Sequence, residues 1–257
     1  YPITTDSSSG VVDFLQSNLS VYCNDTVFTG AGVGNGFYLN NLEGIHIKNC
    51  NLTNYQKGVY LINTPFSKLE QLWINDSALY GVTTSSSHYL EIYDSIFEFN
   101  SDDAIYLSGT DNSIFSNLTF RLNQDVSNDG SVYIASSDNN KLFNLTFLDN
   151  LNAGVNFVVS SDYNNVSDSL FSDFDNYALM MAVGSDNNLV WNNNFVNNSE
   201  TIRNLGVNNN FNLSNQGNFY SDYDSPREGC LDTNNNLVCD SSLSFGSSLD
   251  NYPNNYY

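Results

Sequence analysis

Four segments of the chain follow one template: "DNSIFSNLTF" (111–120), "DNNKLFNLTF" (138–147), "DYNNVSDSLF" (162–171) and "DNNLVWNNNF" (186–195). Each opens on Asp and closes on Phe, and "HYLEIYDSIF" (88–97) keeps the phase with His88 in the Asp slot. Starts at 88, 111, 138, 162 and 186 are spaced by 23, 27, 24 and 24 residues. Self-similarity at such a period means stacked units, none of which can bury its apolar face alone.

Aligning the units gives three apolar columns. The first runs Ile47, Ile74, Phe97, Phe120, Phe147, Phe171 and Phe195. The second runs Val59, Val82, Ile105, Val132, Val155, Leu179 and Ile202. The third, two positions on, runs Leu61, Thr84, Leu107, Ile134, Phe157 and Met181. Within each unit apolar and polar residues alternate, the period of a strand with one buried face. Short strands separated by Asn, Asp, Ser and Gly, with no helical segment, describe an all-β parallel β-helix of eight or nine coils. The expected organisation is an N-terminal segment at 1–17, the solenoid at 18–216 and a loop module at 217–257. Val11, Val12, Phe14 and Leu15 form too small an apolar cluster for a cap helix.

The chain has 257 residues and a formal charge of −21, from 28 acidic and 7 basic side chains. That balance repels nucleic acid and anionic membrane surfaces, which need a basic patch. No apolar run reaches the roughly 18 residues of a membrane span. The sequence reads as a soluble mature form, with or without a signal peptide already removed. Its 44 Asn would suit disorder, but the 40% hydrophobic content argues for a core. The four cysteines, with no CxxC and little His, point to two disulfides in an oxidising compartment rather than to four buried free thiols in a cytosolic protein. Cys23 and Cys50 lie at nearly the same phase of consecutive coils, and Cys230 with Cys239 closes a short loop.

"NLSVYCNDTVFTG" (18–30) and "LEGIHIKNCNLTNYQKGVYL" (42–61) resemble the opening coils of archaeal right-handed β-helix surface proteins related to the NosD-type and carbohydrate-binding repeat families. "GNFYSDYD…DTNNNLVCD…DNYP" (217–253) resembles their closing module. The resemblance implies a right-handed helix and an extracellular or cell-surface location. It does not imply one activity, because members range from sugar-processing enzymes to surface-layer components. The stretch before the first coil is shorter here than in those proteins.

Asp102 and Asp103, in "NSDDAIYL", are the candidate catalytic pair. A glycosidase needs two carboxylates at a set separation, and a polygalacturonase-like site adds a His and a basic pair that are missing nearby. Asp102 shares its phase with Asp129, Asn152 and Asn176, so the repeat assigns it to a turn ladder. In "DTNNNLVCD", Asp232, Asn234, Asn236, the Val238 carbonyl and Asp240 fall at positions 1, 3, 5, 7 and 9 of a loop that partly matches a Ca²⁺ loop. Leu237 stands where such loops want Gly and no bidentate Glu follows; the alternative is a solvated loop tied by Cys230–Cys239. Copper, suggested by the NosD name, lacks a cluster of His, Met or Cys.

Nine sequons, at Asn18, Asn24, Asn51, Asn75, Asn117, Asn144, Asn165, Asn197 and Asn212, match the number expected by chance at this composition, so only the extracellular setting predicts glycosylation. Tyr60, Tyr106 and Tyr133 fall at the outward position between the second and third columns. Thr83 interrupts them, and Asn156 and Met180 follow. They suit sugar rings or a partner protein. The sequence favours a non-catalytic surface-layer, sheath or filament protein over a polysaccharide-binding or carbohydrate-active one. It also predicts head-to-tail self-assembly through the N-terminal segment and a C-terminal module carrying Tyr252, Tyr256 and Tyr257. The alternative is a monomer whose termini cover its own ends.

Overall fold

A strand with one apolar face needs a second surface, and this chain provides it by winding onto itself. The computed structural model describes residues 10–124 and 130–255. Nine parallel strands form one sheet, from Val12–Asp13 through Asn35–Asn40, Lys57–Ile62 and successive coils to Glu200–Asn204. Opposite it lies a parallel sheet of twelve strands, beginning at Ser20–Thr29 and ending at Phe219–Tyr220. In three of its coils the strand is broken in two, as at Lys68–Glu70 and Trp73–Asn75. The chain is a parallel β-helix of about nine turns, with no helix among the described residues.

The second and third columns stand in register as predicted: Val59 pairs Val82, Ile105 pairs Val132, and Leu107 pairs Ile134. The first column needs one correction. Ile74 pairs Leu52, not Ile47, so the ladder reads Phe28, Leu52, Ile74, then the five Phe residues, and closes on Tyr220. Neighbouring rings from Phe97 to Phe195 lie 4.6–5.3 Å apart and nearly parallel. Ile47 instead belongs to a fourth inward column, which runs Val21, Ile47, Leu69, Ile92, Phe115, Leu142, Val166 and Val190. It was hidden because the strand bends between the two columns and the alternation slips there.

The bends explain the asparagine content. Each coil turns at residues with left-handed backbone, and most non-glycine examples are Asn or Asp, which tolerate that region best. Other asparagines go inside. Asn164 Oδ1 accepts the Asn140 amide at 2.9 Å, Asn188 Oδ1 the Asn164 amide at 2.8 Å and Asn209 Oδ1 the Asn188 amide at 2.8 Å. Asn100, Asn123 and Asn150 form a similar ladder. A buried amide is tolerated because the next coil satisfies it.

Both ends are occupied by the chain itself. The small N-terminal apolar cluster forms a strand: Val12 pairs Phe37, and buried Phe14 meets Phe37 edge-on at 6.0 Å. The outer strand of the other sheet is bulged between Tyr22 and Thr26 and stapled by Cys23–Cys50. At the C-terminal end, the hairpin of Leu243–Phe245 and Ser248–Asp250 folds onto the last coil. Phe245 touches Phe211 and Tyr220, and buried Asp250 accepts the Asn218 amide at 2.8 Å and the Tyr220 hydroxyl at 3.0 Å. Cys230–Cys239 is formed as expected.

Candidate functional site

Side chains on the outward face of a parallel strand stack with their counterparts one coil away, so repeated tyrosines must meet. On the nine-stranded sheet, Tyr38 pairs Tyr60 in register, and Tyr106 pairs Tyr133. Ring centroids are 5.7 Å and 5.1 Å apart, the second pair lying flat on each other. Thr83 occupies the coil between Tyr60 and Tyr106 and is buried. Tyr80 bridges that gap from the neighbouring row, 5.0 Å from Tyr106. Lys57 completes the link: its ammonium sits 3.9 Å from the centre of the Tyr60 ring and 5.8 Å from that of Tyr80. Burial there lowers its pKa, while the ring faces favour its charged form. The result is a continuous band, Tyr38–Tyr60–Lys57–Tyr80–Tyr106–Tyr133, with every ring partly exposed.

Sequence reasoning found Tyr60, Tyr106 and Tyr133 but missed Tyr38, Tyr80 and Lys57. Tyr38 falls before the aligned repeats begin. Lys57 and Tyr80 share a row of their own, paired in register, and that row becomes visible only when strand entrances are aligned as well as strand centres. Asp103 continues this row, since the Gly81 amide donates to its carbonyl at 3.1 Å. Asp102 and Asp103 are both buried at the entrance to Ile105–Ser108. Asn152, in the same phase as Asp102, has a left-handed backbone, and Asp129 lies outside the described residues.

The opposite sheet carries most of the other cations. Glu70 receives Lys48 at 2.8 Å and Lys68 at 2.9 Å, with His46 at 3.1 Å. Arg121 pairs Glu98 at 2.6 Å, and His88 meets Asp111 at 3.2 Å. These groups pair with carboxylates, whereas Lys57 of the tyrosine band lies against ring faces.

In the predicted calcium loop, the Asp232 carboxylate accepts the Asn236 and Leu237 amides at 3.1 and 2.9 Å, and the Asn255 amide at 3.0 Å. Asn234 and Asn236 accept amides two residues on. Asp240 turns to Thr233, and hydrogen bonds from its amide and hydroxyl lower the Asp240 pKa. Leu237, in the glycine slot, has φ +67°. The loop is closed by its own backbone donors. All nine sequon asparagines lie at least partly at the surface, and Asn117 and Asn144 stack on adjacent coils, 3.3 Å apart.

The profile of the family described as "Periplasmic copper-binding protein (NosD)" matches residues 16–225. The chain belongs to the NosD family. No curated protein sequence matches it. Among solved structures, it is similar to the A-module of mannuronan C-5 epimerase AlgE6 from Azotobacter vinelandii, at 12% identity and a TM-score of 0.60, over 85% of this chain and 65% of that one. It is also similar to ORF18 of Geobacillus virus E2, at 12% identity and a TM-score of 0.59, over 85% of this chain and 46% of that one. Those likenesses show the shared fold, and this NosD chain spans only part of either protein's length.

Copper chemistry needs soft or imidazole ligands, and the residues of this NosD member do not fit it. All four cysteines are in disulfides. His46 and His88 are each engaged with a carboxylate, Met181 is sealed in the core, and Met180 is a single half-buried thioether. Among the described residues no group of three or more His, Cys, Asp or Glu side chains could hold a metal.

Proposed function

We propose that this NosD-family chain is a non-catalytic polysaccharide-binding protein of the periplasm or cell exterior. The observation that carries the reading is the tyrosine–lysine band. Ring faces and edges offer C–H surfaces of sugars a stacking partner, and phenol hydroxyls and an ammonium offer their hydroxyl groups hydrogen bonds. The band runs along the solenoid axis over successive coils, the geometry suited to a polymer rather than a small ligand. Two disulfides support an oxidising, extracytoplasmic setting.

The experiment is binding of the purified chain to a panel of neutral and acidic polysaccharides, with polymer length followed in the same samples. Binding without shortening of the polymer is expected. Tyr60→Ala and Tyr106→Ala should each weaken it about tenfold, equivalent to about 1.4 kcal/mol. Depolymerisation that disappears in Asp103→Asn would replace this reading with an enzymatic one, and binding indifferent to both tyrosines would end it.

A further inference from the structure

Several turn columns hold bulky residues in left-handed backbone, Phe99, Leu122 and Val159 among them, but one column does so with three exposed aromatic rings. It stacks Asn18, Gly44, Phe66, Tyr89, Asn112, Asn139, Tyr163, Asn187 and Asn208, the backbone amide of each but the last reaching the next coil. All nine have left-handed backbone, between φ +55° and +63°. Asn and Gly take that conformation readily, whereas for a bulky aromatic residue it is an outlier. Phe66, Tyr89 and Tyr163 adopt it nevertheless, and they are 61%, 49% and 60% exposed. Burial therefore does not explain them. Phe66 and Tyr89 stack face to face at 4.9 Å, which leaves the far side of Tyr89 turned along the axis toward Asn112. Among the described residues Tyr163 makes no side-chain hydrogen bond or ring contact. Phe66 and Tyr89 recover part of this strain by stacking on each other, whereas Tyr163 does not, and strain held at an exposed ring points to a function.

The space between these rings is shaped. Tyr89 and Tyr163 are three coils apart, a span of about 14 Å at the usual strand spacing. Exposed Asn112 and Asn139 form the shelf between them. Beside the Tyr163 end lies a groove of about 420 Å³, bordered by Asn112, Asn139, Lys141 and Tyr163 among others. One residue before the shelf runs a column of aspartates, each accepting the next coil's amide through Oδ1: Asp111 from Asp138, Asp138 from Asp162, Asp162 from Asp186. An anionic polymer would be repelled there, and apolar ring faces flanking exposed amides suit a sugar.

We propose that this column is a second glycan site, which takes an uncharged oligosaccharide laid along the axis between Tyr89 and Tyr163. It shares the polysaccharide reading of the tyrosine band but uses none of its residues, so the two can fail separately. The test is affinity electrophoresis of the full chain in native gels containing a soluble β-glucan, a mannan or alginate. Retardation by a neutral polymer and not by alginate is expected. Tyr89→Asn and Tyr163→Asn, which install the residue natural to this column, should each cut the affinity about tenfold while leaving the melting temperature unchanged or raised. Tyr106→Ala is the control for the band. Loss of retardation in Tyr163→Asn with Tyr106→Ala silent supports this site alone. Loss only in Tyr106→Ala overturns it and leaves the band, and indifference to both neutral polymers overturns both.

Discussion

Glu70 faces more cationic partners than any other carboxylate among the described residues. Hydrogen bonds from Lys48 and Lys68 lead, with His46 adding to them, and together they hold its pKa at about 2 against 4.5 for the free side chain. A carboxyl lowered in this way contributes stability that is complete above pH 4.5 and lost as the pH falls toward 2. Glu70→Gln should therefore be less stable than the wild type at pH 7, and the gap should close by pH 2. Urea midpoints measured across that range check this; a gap that does not change with pH would mean the ion pairs add nothing through charge. Interior asparagines act without charge at the same scale. Asn123 accepts the Asn100 amide and donates to the Phe97 carbonyl, so no apolar residue of its size could replace it without stranding both groups.

At the level of the strand, the ring ladder is the main continuous apolar element. Phe147 is fully buried between Phe120 at 4.6 Å and Phe171 at 4.7 Å. Phe147→Ala should cost about 3–5 kcal/mol, seen as a clear fall in melting temperature. An effect below about 0.5 kcal/mol, typical of the surface, would contradict the stacking. This column was legible because Phe recurs at the end of each repeat, and the second and third columns because strict alternation marks them. The Ile47 column was not, since the left-handed bend at residues such as Asn117 and Asn144 resets the alternation within a strand. The tyrosine band was half legible for a related reason: its bridging members, Lys57 and Tyr80, belong to a row whose other members, such as Asn35, share no chemistry with them. The exposed aromatics of the turn column were invisible, because nothing in a sequence distinguishes a strained Tyr from a relaxed one.

For the whole molecule, we propose a monomer rather than a head-to-tail polymer. The C-terminal hairpin already covers the last coil, Tyr252 is only partly exposed, and Tyr256 and Tyr257 lie outside the described residues. The bulge between Tyr22 and Thr26 interrupts the outermost strand at the other end, a device that discourages strand addition. Light scattering at high concentration should give a mass near 28.6 kDa, and a mass growing with concentration would restore the filament. If the Asp232 loop takes Ca²⁺, the ion should raise the melting temperature and Asp232→Asn should abolish the rise, with no change in mass. The position of the disulfides has a further consequence. A stack in which each coil touches only its neighbours unravels like a zipper, from the ends inward. Cys23–Cys50 clips the first two coils together, and Cys230–Cys239 tightens the module that closes the last. Both points where fraying can start are covalently tied, so a reductant should shorten the protein's life in the presence of a protease long before it alters anything in the middle of the stack.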